Sequence, residues 1–223
     1  LLIKQSTSCD SGTCPTCGSG NISNVSKLDE EELAKDLHVA LNSADVKKLK
    51  EELESRGYEQ RLANATGLIV TKADGNLSEG VILPFSSQDN TQVGIIAEVN
   101  THKVVKAAAV LIYRNETKFP VSVEQLSINH GKVTNEKIDV ASVLNSGVSI
   151  QVTQCDACIT LYELGCDIGC GLEMALLCII AGLGLTFIGG LACTAIAAAV
   201  CYFINNYGCY PQAPDACDTI GFC

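Results

Sequence analysis

The last seventy residues constrain the fold of this chain more than any other feature. The stretch from Gln154 to Cys223, hereafter the tail, holds ten of the thirteen cysteines and has no Lys, Arg or His. Within it, the run from Met174 to Pro214 carries no formal charge. Closely spaced cysteines in an even number are typical of a disulfide scaffold, whereas a long uncharged run is typical of a membrane span. The fold has to reconcile these two signals.

The distribution of charge indicates two parts that are both acidic. All 15 Lys and Arg lie at or before Lys137 and 19 of the 25 Asp and Glu at or before Asp139, a net charge of −4, and the tail holds the other 6 acidic residues, a net charge of −6. Because nucleic acids and anionic lipids both attract clustered basic residues, we expect no nucleic-acid partner and no electrostatic docking to anionic lipid. Membrane contact by the tail would depend on burial of apolar surface.

The cysteine content predicts an oxidising compartment, since thirteen thiols without a metal-binding pattern are rare in cytosolic proteins. We therefore expect a secreted, extracellular protein. The sequence begins with Leu1, and its first residues do not form a basic segment followed by an apolar one. A removed signal peptide or a fragment would account for this.

Residues 1–25 are rich in Ser, Thr, Gly, Asn and Cys, which predicts a flexible leader. The leader contains Cys9, Cys14 and Cys17, and the last two form a CxxC motif. A redox pair would need a preceding strand and a following helix, and a zinc site would need a second cysteine pair, and this half of the sequence has neither pattern. We expect a local disulfide and one odd thiol, with no metal and no other cofactor.

Residues 26–143 predict an α+β domain that begins with two helices. Ser26 and Asp29 have the spacing of a capping box, which predicts a helix start near Ser26, and Gly57 is a candidate helix C′ residue. Two apolar stripes with helical spacing lie between these positions: Leu33, Leu37 and Leu41, then Val46, Leu49 and Leu53.

Between Gly67 and Val143 the pattern changes to short strands separated by turns. The candidate strands are Leu68–Val70, Val81–Phe85, Val93–Val99, Val104–Tyr113, Val121–Ile128 and Lys132–Val140. The candidate turns are Asp74–Asn76, Asn100–His102 and Asn129–Gly131. Two helices and an antiparallel sheet define an α+β class for this part, followed by a small all-α disulfide-rich domain.

The sequence predicts no catalytic site. His38 lies beside the leucine stripe of a predicted helix, and His102 and His130 fall in predicted turns. No nucleophile elbow, metalloprotease motif or phosphate-binding loop is present in the sequence. We therefore expect that the protein is not an enzyme.

A linker is predicted between the two parts, at residues 144–153, and the linker-like pattern begins near Ala141. Asn145, Ser146 and Gly147 form its most flexible point in sequence terms. Small and polar residues in an exposed tether are preferred sites of proteolysis, so we expect a processing protease to cut here.

The tail cysteines repeat at intervals that suit helices. Steps of eight residues recur, just over two helical turns, and Cys155 with Cys158 and Cys166 with Cys170 are three or four residues apart. We expect all ten to form disulfides: Cys155, Cys158, Cys166, Cys170, Cys178, Cys193, Cys201, Cys209, Cys217 and Cys223. Their pairing stays open, because ten cysteines allow roughly nine hundred connectivities.

The apolar run of the tail is long enough to cross a bilayer, since Met174–Ile204 is 31 residues without a charge. Cysteines inside the run and glycines at 182, 184, 189 and 190 interrupt it. We therefore favour short helices, covering Met174–Ala181 and Ala192–Ile204, that disulfides staple together. A domain of this size would leave an exposed apolar patch that can meet membranes.

The tail resembles the halocin C8-like bacteriocins. The resemblance rests on the ten cysteines, with the opening Cys155-Asp156-Ala157-Cys158, the spacing of Cys166 and Cys170, the glycine-rich apolar centre and the terminal Cys223. It implies a secreted proprotein that releases its C-terminal part as an antimicrobial toxin against the membrane or envelope of competing microbes. It also implies that the N-terminal part gives the producer immunity, through contact with the C-terminal peptide.

Two alternatives remain at this point. The chain could be a secreted or surface structural or interaction protein that releases no toxin. It could also be a membrane-anchored protein that uses residues 174–204 as a span. Cell fractionation separates the last alternative from the other two.

Overall fold

An antiparallel sheet with helices on both faces forms the centre of the protein. The computed structural model describes residues 22–72, 74–86, 89–145, 154–181, 189–209 and 211–223. The strands are β1 (Ile22–Lys27), β2 (Glu59–Gln60), β3 (Thr66–Lys72), β4 (Leu77–Ser86), β5 (Gln92–Asn100), β6 (Lys103–Arg114), β7 (Pro120–Asn129) and β8 (Lys132–Asp139). The order across the sheet is β1-β3-β4-β5-β6-β7-β8, and the short β2 pairs with β4.

The helices divide between the N-terminal part and the tail. They are α1 (Glu30–Asn42), α2 (Ala44–Ser55), α3 (Val140–Asn145), α4 (Gln154–Ile168), α5 (Leu172–Leu176), α6 (Gly189–Tyr207) and α7 (Ala213–Ile220). A 3-10 turn covers Leu62–Asn64, and a π-helical turn at Leu177–Ala181 continues α5. The predicted fold class is confirmed: an N-terminal antiparallel sheet with helices precedes a disulfide-rich helical region.

The first helix begins later than its sequence pattern predicts. Asp29 is the N-cap of α1, where its carboxylate accepts a hydrogen bond from the Glu32 amide and the Glu32 side chain accepts one from the Asp29 amide. Ser26 instead pairs with Ile69 in the sheet, so the predicted start at Ser26 is wrong. The reciprocal Asp29–Glu32 box satisfies the free amides of the first turn and leaves Ser26 for strand pairing.

The predicted flexible leader also ends earlier than residue 25. Strand β1 begins at Ile22, and Val25 pairs with Val70 of β3. These backbone hydrogen bonds make residues 22–25 the edge of the sheet. Cys9, Cys14 and Cys17 lie outside the described residues.

One face of the sheet packs against α1 and α2. The large side chains of this cluster have almost no exposed surface: Leu49 and Leu53 from α2, and Leu83, Ile95 and Leu111 from three neighbouring strands. The apolar stripe predicted for the second helix therefore forms half of a conventional helix-on-sheet core.

The opposite face of the sheet packs against the tail. Leu68, Val70, Ile82, Ile96 and Val110 are buried in one continuous cluster with the helices of the tail. The protein is therefore a three-layer sandwich in which the disulfide-rich helices form the third layer. The central strands are buried on both faces, which explains the nearly continuous apolar runs in β4, β5 and β6.

The predicted linker is partly a helix. Val140 and Val143 are buried on α3, against β7 and α6, and Asn145 is the last residue of that helix. The linker prediction is therefore wrong for residues 141–145, because these two valines bury their side chains in the core between sheet and tail. Ser146 and Gly147, with the rest of 146–153, lie outside the described residues.

A buried carboxylate ties α2 to the sheet. Glu124 on β7 is 6% exposed and accepts hydrogen bonds from Arg56 Nη1 at 2.8 Å, Tyr113 Oη at 2.7 Å and Asn135 Nδ2 at 3.4 Å. Burial acts to raise the pKa of Glu124, but the hydrogen bonds from Arg56, Tyr113 and Asn135 outweigh it, so its pKa lies below the ordinary value. Burial and the neighbouring Glu124 raise the pKa of Tyr113.

Glu124→Gln should therefore lower the free energy of unfolding at pH 7 by about 2 kcal/mol, since it removes charged hydrogen bonds. The wild-type carboxylate, with its pKa depressed in the folded state, stabilises the fold above the ordinary pKa and loses this effect as pH falls below about 4.5. Denaturant titrations between pH 3 and 7 should show a smaller loss on acidification for Glu124→Gln. The exposed Glu116→Gln is the control, and equal pH slopes in all three proteins would contradict the assignment.

Candidate functional site: the stapled helices on the sheet

Five disulfides pair all ten cysteines of the tail, within the part of the chain that the structure describes. The pairs are nested: Cys155–Cys223, Cys158–Cys217, Cys166–Cys209, Cys170–Cys201 and Cys178–Cys193. Their Cα–Cα distances lie between 4.6 and 5.9 Å. Because the first cysteine pairs with the last and so on inwards, the two halves of the tail run in opposite directions, like the limbs of a hairpin. The expectation that disulfides staple the helices of the tail together is confirmed, but α6, with 19 residues, is longer than the predicted helix Ala192–Ile204.

The outer end of this hairpin is held by more than cystines. The Tyr162 hydroxyl on α4 donates to the backbone oxygens of Gly208 at 3.1 Å and Pro211 at 3.2 Å. Its ring lies 6.3 Å from the ring of Phe203 on α6, and burial raises the pKa of the Tyr162 hydroxyl. These contacts fix α4 against the chain that leads from α6 to α7.

Two glycines of the sheet let the tail approach the strands closely. A Cβ at Gly80 on β4 would overlap Ile180 Cδ1 and come within 3.2 Å of Leu176 Cδ1. At Gly94 on β5, a Cβ would lie 2.5 Å from Leu172 Cδ1. The side chains of α5 and its π-helical turn therefore occupy the space that side chains would fill at these two strand positions. We call Gly80 and Gly94 the glycine notches.

A lysine of the sheet binds the end of the same helical segment. The ammonium group of Lys106 on β6 donates to the Ile179 carbonyl oxygen at 2.7 Å. This carbonyl lies in the π-helical turn, near the negative end of the helix, where a cation is favourable. The contact adds a charged hydrogen bond to the apolar packing at the glycine notches.

Helix α6 has its own contacts with the sheet. The ring of Tyr202 meets that of Phe119, in the turn just before β7, edge to face with centroids 5.1 Å apart. A Cβ at Gly190, at the start of the helix, would lie 3.8 Å from Gln125 Oε1 on β7. The sheet thus holds both limbs of the hairpin at separate points. A stretch of α6, Gly190–Tyr207, is long and apolar enough to cross a membrane, but 61% of it is buried inside the protein, as in a core helix of a soluble domain.

The expected exposed apolar patch on the tail is absent from the described residues. Tyr207, at 63% exposure, is the one large exposed hydrophobic residue recorded in the described tail. Among these described residues, the sheet covers much of the apolar surface that the tail helices would otherwise expose. The tail does not need to bury its apolar surface by itself.

A polar cavity of about 320 Å³ opens beside α6, lined by Arg114, Lys118, Tyr202, Asn205 and Asn206 among others. Arg114 Nη2 donates to the Gln92 side-chain oxygen, and burial lowers the pKa of the guanidinium.

Among the described residues, no group of three or more His, Cys, Asp or Glu has the arrangement of a metal site. His102 and His130 lie in turns with positive φ of 65° and 49°.

The structure therefore defines a cystine-stapled helical hairpin seated on an antiparallel sheet. Comparison of the chain with family models, curated proteins and solved structures found no match. Five disulfides are typical of proteins from an oxidising, extracellular or secretory environment. The contacts at Gly80, Gly94 and Lys106 were not predicted from the sequence, although strands with apolar residues on both faces were a signal that two layers cover the sheet.

Replacing Lys106 should weaken the seating of the tail without unfolding the sheet. Lys106→Met removes the hydrogen bond to Ile179 and should lower the free energy of unfolding by about 1.5 kcal/mol. Amides of the segment 172–181 should exchange with deuterium faster, as measured by hydrogen-exchange mass spectrometry. Lys103→Met, on the same strand, is the matched control, and unchanged exchange in 172–181 for Lys106→Met would show that the contact is unimportant.

Proposed function

We propose that the chain is a secreted bacteriocin precursor. Its tail is an antimicrobial toxin against the membrane or envelope of competing microbes, and its N-terminal part keeps the toxin covered and gives the producer immunity. The observation that carries the proposal is the burial of the tail's apolar helices against the sheet. A chain that must export so apolar a segment gains a water-soluble form while the cover is in place.

The internal pairing of the tail cysteines supports release as a unit. Each of the five disulfides joins two tail cysteines. After a cut in the segment 146–153, no disulfide would therefore connect the tail to the N-terminal part. The released hairpin would keep its staples, and disulfides of this kind typically stabilise a fold by about 2 to 4 kcal/mol each. The N-terminal part would keep its own core between the sheet and α1 with α2.

The surface that release would uncover suits lipid better than water. Leu172, Leu176 and Ile180 occupy the region of the glycine notches, and α6 contributes a largely apolar helix beside them. The tail has no basic residue, so its attraction to a bilayer would come from burial of this apolar surface at roughly 25 cal/mol per Å². In this respect it would differ from amphipathic helices whose polar face is rich in Lys and Arg.

A second candidate function is that of a membrane-anchored protein. It is supported by the length and apolar composition of α6, which suit a membrane span. Its packing against β7 and β8, and the contact of Tyr202 with Phe119, favour the first candidate, since a helix packed on a sheet cannot face lipid on that side. Recovery of the intact protein in the membrane pellet, resistant to carbonate extraction, would support the anchor; recovery in the culture supernatant would support the toxin precursor.

The direct test replaces residues 146–153 with the recognition sequence of a site-specific protease. The uncut chain should leave sensitive bacteria and lipid vesicles intact, because the apolar helices are covered. After cutting and chromatographic separation, the tail should inhibit growth and release dye from vesicles. A scrambled replacement of the same length, which the protease does not cut, is the control.

Immunity is tested in the same assay. The separated N-terminal part, added back in excess, should relieve the inhibition, whereas the same part with Gly80→Val should relieve it less because a notch is filled. A separated, fully oxidised tail that neither inhibits growth nor permeabilises vesicles would overturn the toxin proposal. A tail that inhibits equally with and without the N-terminal part would overturn immunity alone.

A further inference from the structure

We propose that the sheet is a template for disulfide formation, which sets the register in which the ten tail cysteines pair. In this role the N-terminal part is an intramolecular chaperone for the oxidation of the tail. The proposal concerns how the bonds form and does not depend on what the finished tail does. It follows from a register ambiguity in the cysteine spacing and from the way the sheet holds both limbs of the hairpin.

The spacing of the cysteines allows the ladder to slip. Cys193, Cys201, Cys209 and Cys217 are each eight residues apart. If the second limb shifted by one such step, Cys178 would meet Cys201, Cys170 would meet Cys209, and Cys166 would meet Cys217. Three of the five bonds could then close in the wrong register, with Cys155, Cys158, Cys193 and Cys223 left over. The tail sequence by itself therefore discriminates poorly between the two ladders.

A slip of eight residues is a large movement relative to the sheet. At 1.5 Å per residue it displaces one helix by about 12 Å along its axis and rotates its face by about 80°. The sheet disfavours the shifted state only if its contacts hold each limb at a fixed position. The structure shows such positions on both limbs.

The first limb is positioned at the glycine notches. Leu172 lies at Gly94, and Leu176 and Ile180 lie at Gly80, while Lys106 binds the Ile179 carbonyl. Because the notches are narrow gaps between larger side chains on the same face, such as Ile82 and Ile96, a shifted α5 would bring its side chains against filled strand positions. These contacts place Cys178, the inner cysteine of this limb.

The second limb is positioned by α6. Tyr202 meets Phe119 edge to face, and the start of the helix lies next to β7, where a Cβ at Gly190 would come 3.8 Å from Gln125 Oε1. These contacts bracket Cys193 and Cys201, which pair with Cys178 and Cys170. When both limbs lie in place on the sheet before oxidation, Cys178 lies near Cys193 and Cys170 near Cys201, so these two pairs form first. The outer pairs then close in order, because each closed bond brings the next two cysteines together.

The chemistry of each step is an ordinary exchange with an external disulfide. Two tail thiols lose two electrons and two protons, and form one S–S bond through a mixed-disulfide intermediate. The external disulfide, glutathione disulfide or an oxidoreductase of the export pathway, is reduced to two thiols. The sheet supplies no electrons and no proton acceptor in this scheme; it supplies the alignment.

The test is oxidative refolding of the full chain in a glutathione buffer. Chain reduced in denaturant is diluted into the buffer, trapped with an alkylating reagent at intervals, and its bonds are mapped by mass spectrometry. Wild type should reach the nested set. Gly80→Val, which fills a notch, should lower the nested fraction by about fivefold and accumulate Cys178–Cys201 and Cys170–Cys209.

The matched control is Leu83→Ala on the same strand. Leu83 is fully buried on the opposite face, against α1 and α2, so its loss weakens the fold without touching the tail. It should refold to the nested set, more slowly at most. Slipped bonds in Leu83→Ala at the level of Gly80→Val would overturn the proposal, because general destabilisation would then explain both.

The other possible results for Gly80→Val also test the template proposal. Identical bond sets and rates in wild type and Gly80→Val would overturn templating by the notch. If Gly80→Val precipitates, Lys106→Met compared with Lys103→Met takes its place, and the expected result is slower closure of Cys178–Cys193 in the first alone. A toxin assay that fails while the nested set depends on Gly80 would refute the proposed function and leave the template intact.

Discussion

The apolar contact between one sheet face and the tail is the interaction on which the rest of this structure depends. The sheet has buried side chains on both faces, and α1 with α2 covers only one of them. Without the tail, residues such as Val70, Ile82 and Val110 would face water. Without the sheet, the tail helices would expose a surface that their own small hairpin cannot cover. Each part therefore covers apolar surface that the other would otherwise expose to water.

The cystine ladder is confined to the tail and makes no covalent link to the sheet. All five bonds lie within the hairpin, and among the described residues its contact with the sheet layer includes apolar packing, the Tyr202–Phe119 aromatic pair and the Lys106 hydrogen bond. Non-covalent contacts can be lost in one step when the chain is cut, while the staples persist. Such an arrangement would suit the proposed toxin precursor, and the same contacts would align the cysteines beforehand in the proposed template.

Local patterns in the sequence were sufficient to predict most of the elements but not how they assemble. Alternating and apolar runs predicted β3 to β8, and the stripe of Val46, Leu49 and Leu53 predicted α2, because these signals lie within a few residues of one another. Ser26 was misassigned since a capping-box spacing occurs both there and at Asp29, and only strand pairing with β3 decides between them.

The contacts between the tail and the sheet were less predictable, because they join residues that are far apart in sequence. Glycines at 80 and 94 are strand residues like any others until the side chains of α5 are placed on them, and that placement is a contact between residues roughly eighty to a hundred positions apart in sequence. The pairing of cysteines is equally non-local. The near-continuous apolar strands did contain the missing information, because strands buried on one face alternate and strands buried on both do not.

The central claim is that the tail lies on the sheet in the intact, oxidised chain. Methyl-labelled NMR tests it most directly, through the nuclear Overhauser effect between the Ile180 δ1 methyl group and the Gly80 α protons. The structure predicts a strong cross-peak, and a weaker one from Leu176 to the same protons. An Ile180 methyl group with cross-peaks only to residues of the tail would contradict the account, because the hairpin would then not be seated on the sheet.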